Sequence, residues 1–160
     1  MKEIQLTQGK TALVDDEDFA ELSKYKWSLS KYGYVYTSKD KKHLFIHRFI
    51  MNTPKGKFTD HINCNRLDNR KENLRIVNKQ QNAQNRTKLK GKSKYKGVYL
   101  HEDHKKNWST WKVDIYLGKK IAIGYFENDR HAAMAYDIWA KVLFEEYAKL
   151  NFPDALGIKP

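Results

Sequence analysis

Cysteine is nearly absent: Cys64 is the only one in 160 residues. A lone thiol excludes an intrachain disulfide and any zinc cluster built on paired cysteines. No apolar run approaches membrane-spanning length, and the opening "MKEIQLTQGK" has no apolar h-region. The expectation is a soluble protein in a reducing compartment, with no membrane partner. Internal repeats and low-complexity tracts are also missing. Acidic side chains are scarce where they would matter most. Between Lys39 and Lys96 there are 17 basic residues against 4 acidic, a net +13.

That basic zone dominates a chain whose formal charge is +12. It favours a polyanionic partner through phosphate contacts and counterion release. Nucleic acid is favoured over a membrane surface because the zone holds no basic amphipathic helix with an apolar face. Hydrophobic residues make up 40% and aromatics 13%, enough for small cores, so wholesale disorder is excluded despite a mean hydropathy of -0.84.

The pattern predicts an α+β chain. "IQLTQGKTALV" reads as two strands around Gln8-Gly9, and "DDEDFAELSKY" as a helix with acidic residues in its first turn. "WSLSKYGYVYTSKDKKHLFIHRFIM" alternates aromatic and polar residues, as strands joined by turns do, and a short helix begins near His47. Phe58–Ile62 and Leu74–Val77 are strand candidates separated by a polar loop. A helix over about 79–85 follows, with Asn78 as its N-cap. Residues 87–96 read as a basic linker. Beyond it, strands are expected at 98–101, 111–117 and 121–126, with a tight hairpin at Leu117-Gly118-Lys119-Lys120. A helix opened by Asn128 or Asp129 follows. Its buried spacing is Ala132, Ala135, Tyr136, Trp139, Ala140, Leu143 and Tyr147. Pro153 lies past its end.

"TDHINCNRLDNRKENLRIVNKQQNAQN" crowds seven asparagines into Thr59–Asn85. Asparagine suits caps and turns and is a poor core residue. Asn63, Asn65, Asn69 and Asn78 are assigned to those uses; the others need a chemical reason. Cleaving a phosphodiester requires a hard divalent ion with oxygen ligands, a general base near neutral pH, and a group to orient that base. Asp60 can face a metal while His61 approaches a water. Asn73 can accept the histidine Nδ1–H, and Asn82 can be a second oxygen ligand. Arg66, Arg70 and Arg75 are phosphate-clamp candidates, or equally a solvated surface. His47 is either a packed core histidine or a site residue.

Asp60-His61, Asn73 and Asn82, within "HRFIM…DHINCNRLDNRKENLRIVNKQQNAQNR", resemble the HNH ββα-metal nuclease motif in its phage and mobile-intron form, where asparagine replaces the last histidine. The resemblance covers about residues 43–86. It implies Asp60 and Asn82 as ligands of Mg²⁺ or Mn²⁺, His61 as general base, and Asn73 as its orienter. It also implies cleavage of double-stranded DNA to 5′-phosphate and 3′-hydroxyl ends. Structural zinc is not expected, since only Cys64 is present. The implied setting is the cytoplasm of a bacterial host or phage-infected cell, at the nucleoid. The alternative is a catalytically silent DNA-binding regulator.

The tail "KGVY…W.V.IY.GKKIAIGYF…AAMAYD.WA…F.EYAKLNFP" resembles the Apetala/ethylene-response-factor DNA-binding domain over about residues 94–153. It implies a three-stranded antiparallel sheet packed on one helix. Aligned landmarks put Lys96, Tyr99, His101, Trp108, Asp114, Tyr116 and Lys120 at DNA-contacting positions. Arg86, just before the linker, and Lys88 and Lys90 within it are backbone-contact candidates, or equally parts of a plain tether. Tyr99, His101 and Tyr116 stand where arginines are usual in the plant members, and Ala122 where a tryptophan is usual. The plant target sequence therefore does not carry over; stacking or shape readout gains weight. Trp111 is assigned to the core, and Trp108 to core or contact with equal weight. The expected organisation is a nuclease region over 1–86, a linker over 87–96 and a DNA-binding domain over 97–160.

Overall fold

A computed structural model describes residues 1–39, 42–87, 91–103 and 108–157. The chain forms two compact units, Met1–Asn82 and Ala83–Pro160. Both combine antiparallel sheets with few helices.

The first unit begins with the hairpin β1 (Lys2–Gln5) and β2 (Thr11–Val14), turned through Gly9 at φ 70°. Helix α1 (Asp16–Leu22) follows. Strands β3 (Ser28–Leu29), β4 (Val35–Lys39) and β5 (Lys42–Phe45) make a three-stranded antiparallel sheet. It runs directly into the short helix α2 (Ile46–Ile50). The core gathers Ile4, Val14, Leu22, Trp27, Val35 and Ile46. The Trp27 indole N–H is satisfied there by the Leu22 carbonyl at 2.8 Å. Strands β6 (Phe58–His61) and β7 (Leu74–Val77) then pair antiparallel, setting Asp60 opposite Arg75 and His61 opposite Leu74. Helix α3 (Lys79–Gln84) closes the sequence β6–β7–α3. Its start is a reciprocal capping box. The Asn78 Oδ1 accepts from Gln81 N–H, and the Gln81 Oε1 accepts from Asn78 N–H, both at 2.9 Å.

The second unit is the sheet β8 (Val98–Asp103), β9 (Trp108–Leu117) and β10 (Lys119–Phe126), ordered β10–β9–β8 and antiparallel throughout. Helix α4 (Asp129–Phe144) packs on one face. Asn128 caps it by accepting from His131 N–H at 2.8 Å. Ala132, Ala133 and Ala140 are fully buried and let the helix approach Val98, Val113 and Ile115 closely.

Four expectations are corrected. All three strands of this sheet are longer than expected, because backbone pairing continues past the apolar residues that mark them in sequence. The boundary between units falls at 82/83, and described residues of the supposed linker belong to the second unit. Ser93 is buried, and Tyr95 packs on Phe152 with ring centroids 5.1 Å apart. Trp139 is exposed, because the buried face of α4 runs through Ala133, Tyr136, Asp137, Ala140 and Phe144.

Candidate active site and nucleic-acid interface

The loop between β6 and β7 explains most of the asparagines. Asn65 N–H donates to Asn63 Oδ1 at 2.7 Å, and Leu67 N–H to Asn65 Oδ1 at 3.1 Å. These are successive Asx turns. Asn73, 6% exposed, braces the loop: its Oδ1 accepts from Asn63 N–H at 3.0 Å and its Nδ2 donates to the Asp68 carbonyl at 2.8 Å. The loop is also tied to β2. Leu13 N–H donates to the Leu67 carbonyl at 2.7 Å, and Asn69 N–H to the Leu13 carbonyl at 2.8 Å. The N-terminal hairpin is thus a scaffold for this loop.

His61 is buried, and its Nε2 lies 3.1 Å from Asn69 Oδ1. An amide oxygen only accepts, so His61 donates from Nε2 and its Nδ1 carries the lone pair in the neutral ring. The Asn69 amide is oriented consistently, since its Nδ2 donates to the Arg66 carbonyl at 3.3 Å. Asn69 is wholly buried. The expected orienting bond from Asn73 to His61 Nδ1 is replaced by this one: Asn73 spends its carbonyl on the loop backbone. Sequence reasoning missed Asn69 because its turn-like context hides a partner eight residues away. Burial, set first among several effects, lowers the His61 pKa from its ordinary value. The ring is therefore neutral near pH 7, as a base must be.

Asp60 is also buried, and its Oδ2 accepts from Arg75 Nε at 3.0 Å and Nη2 at 2.9 Å. Arg75 is therefore not a solvated phosphate clamp. Arg70 likewise makes a fork onto Asp68 at 2.8 Å for both bonds, and it also pairs with Glu72. Arg66 stacks over Tyr34 at 4.5 Å and donates to the Tyr32 carbonyl. Asn82 is half-buried in α3, one turn after its cap. Among the described residues no group of three or more His, Cys, Asp or Glu side chains is placed to hold a metal.

His47 joins this region. Its ring lies 5.1 Å from that of His61 and 5.3 Å from that of Tyr34. Its Nδ1 is buried without a hydrogen-bond partner. Burial, then the charges of His61 and Arg48, push its pKa down to about 3. The unfolded chain takes up this proton near pH 6.5, whereas the folded chain does not until about pH 3. The stabilisation is therefore complete above pH 6.5 and is lost as pH falls through that window, by at most about 1.4 kcal/mol per pH unit. Urea titrations between pH 7 and 4 should show a shallower pH slope for His47→Phe than for the parent chain. Equal slopes would show that His47 is not held neutral by the fold.

On the second unit, the sheet face away from α4 presents Tyr99, His101, Trp108, Tyr116 and Lys120, all exposed. Lys112 and Tyr125, not singled out in the sequence, complete it. His101 lies 5.9 Å from Trp108 and 5.4 Å from Tyr125, ring to ring. Trp108 is therefore a surface residue, while Trp111 packs against the core. Two expected contacts are turned inward. Lys96 donates its Nζ to the Gln84 carbonyl, and its backbone is bound by Asn151. Asp114 is buried beneath two lysines. Arg86 is exposed. Lys88 and Lys90 lie outside the described residues.

Comparison with known proteins locates the first region. The family model described as HNH endonuclease matches residues 52–84. A curated relative, the uncharacterized HNH endonuclease L560 of Acanthamoeba polyphaga mimivirus, is 33% identical over 150 residues, covering 90% of this chain and 76% of that protein. Dehydration-responsive element-binding protein 2D of Arabidopsis thaliana is 35% identical over 69 residues, 41% of this chain and 31% of the plant protein. No solved structure matches.

Proposed function

Because the chain belongs to the HNH endonuclease family, we propose that it is a metal-dependent enzyme that hydrolyses phosphodiester bonds in double-stranded DNA. The products are 5′-phosphate and 3′-hydroxyl ends. The first unit cuts, through a ββα-metal module made of β6, β7 and α3, and the second helps to select the site. The observation that carries this reading is the His61–Asn69 hydrogen bond, which supports a buried, neutral imidazole held in one orientation, as a general base requires.

His61 takes the proton of the attacking water at Nδ1. Asn69 holds the ring in the tautomer that makes this possible, and stays bonded to it when the ring becomes charged. Asn73 fixes the path of the loop that carries Asn69. Asp60 would contribute a carboxylate, Asn82 an amide oxygen and the DNA phosphate the remainder, oxygen donors of the kind a hard divalent ion takes. When bound, Mg²⁺ or Mn²⁺ supplies charge neutralisation at the scissile phosphate and the leaving oxygen. The basic surface of the chain supports duplex binding. So does the likeness of part of the chain to a plant protein named for element binding.

The purified chain should nick supercoiled plasmid in Mg²⁺ or Mn²⁺ and not in EDTA. One observation favours a binding-only regulator: the Arg75 guanidinium already holds the Asp60 carboxylate. Plasmid left intact in every divalent metal, with duplex binding retained, would establish that second reading.

A further inference from the structure

The open face of the second unit's sheet carries one feature that the proposed function leaves unused. Asp114 points to that face, yet its side chain is only 4% exposed and both carboxylate oxygens are buried. Lys120 Nζ lies 2.8 Å from Oδ2, and Lys112 Nζ lies 3.3 Å from Oδ1. Lys120 also sits over the Tyr99 ring at 5.6 Å, and Lys112 over the Tyr125 ring at 5.9 Å. The strand register builds this arrangement. Tyr99, Lys112 and Tyr125 form one cross-strand row, and Asp114 lies opposite Ala122 in the next but one residue pair. The small Ala122 side chain leaves room for Lys120 to reach back from two residues away. A bulky residue there would fill that path.

A base-reading carboxylate must offer its oxygens to a cytosine amine in the groove. These oxygens face two ammonium groups instead. A buried carboxylate is costly unless it is compensated, and here two lysines compensate it and leave the triad with a net positive charge. Both lysine heads already lie beside the carboxylate and a tyrosine ring. Less side-chain entropy therefore remains to be lost when an anion arrives.

We propose that Asp114 is a positioning residue and not a base-contacting one: it clasps Lys112 and Lys120 over the sheet, and this lysine pair grips two phosphates of a duplex backbone. The inference rests on the duplex binding proposed above. Sequence choice falls to the neighbouring His101, Trp108 and Tyr116.

The test uses the full-length chain in EDTA, so that no duplex is cut. Affinity for a random-sequence duplex is measured against salt concentration, and preferred bases are read by selection from randomised duplexes. The triple variant Lys112→Gln/Lys120→Gln/Asp114→Asn, which strands no buried charge, should lower the slope of log affinity against log salt by about 1.8, or about 0.9 for each phosphate no longer neutralised. Asp114→Asn alone keeps both lysines, so its slope should match or exceed that of the parent chain, with the same preferred bases. A parent-like slope in the triple variant would overturn the phosphate grip. Loss of preference at a single base position in Asp114→Asn, with an unchanged slope, would overturn the clasp and make Asp114 a reader. A parent chain showing no salt-dependent duplex affinity would overturn the duplex reading itself, and this inference with it.

Discussion

Replacing His61 by alanine lowers the rate of plasmid nicking by about 10²–10⁴-fold, the usual share of a general base, and leaves duplex affinity close to that of the parent chain. The separation of rate from affinity matters because His61 is buried and carries little of the basic surface. Asn69→Ala should follow the same pattern at a smaller size, about 10–100-fold, because it removes the orienting partner and not the base. Single-turnover nicking with excess protein measures both. His61→Ala protein that nicks at the parental rate would end the assignment, whatever the family of the chain.

Gly97→Ala should unfold the second unit at temperatures where the parent is intact. Gly97 has φ 75°, and a Cβ built on it would lie 1.9 Å from Cδ2 of Tyr136 and 2.2 Å from its Cε2. Tyr136 is 3% exposed and sits in the core beside Val98 and Ala132, so the ring has nowhere to move. Overpacking of this kind costs roughly 1–3 kcal/mol or more, and the left-handed backbone adds roughly 1–3 kcal/mol. Gly118→Ala supplies the comparison: φ is 70° but nothing lies within 4 Å of the added carbon. It should cost only the backbone share. Thermal unfolding of the two variants, side by side, separates crowding from strain, and equal losses would show that Tyr136 yields.

How much of this was legible in the sequence depends on the range of the interactions. The β6 and β7 strands, the Asn78 cap and the Asn128 cap are set by chemistry within a few residues, and alternation or cap spacing reveals them. The Asp60–Arg75 pair was legible in principle: once the two strands are bounded, the antiparallel register alone puts those residues opposite each other. Reading the arginines as a surface class concealed it. Asn69 was not legible. Its place beside His61 depends on the loop being held to Leu13, more than fifty residues earlier, and no local pattern reports that bracket. Lys96 misled for a related reason. Its neighbours in space are Gln84 and Asn151, so a landmark alignment placed on DNA a side chain that the fold turns inward.

Asn151 has a wider importance than its own bonds suggest. Its Oδ1 accepts from Lys96 N–H at 2.7 Å and its Nδ2 donates to the Lys96 carbonyl at 3.2 Å, while Asp137 takes the backbone N–H groups of Asn151 and Phe152. The strand that opens the sheet and the segment that leaves α4 are therefore buckled side by side. Such a module is a cassette. It can be spliced into a surface turn of another protein, or rejoined end to end and reopened elsewhere, without pulling its own ends apart.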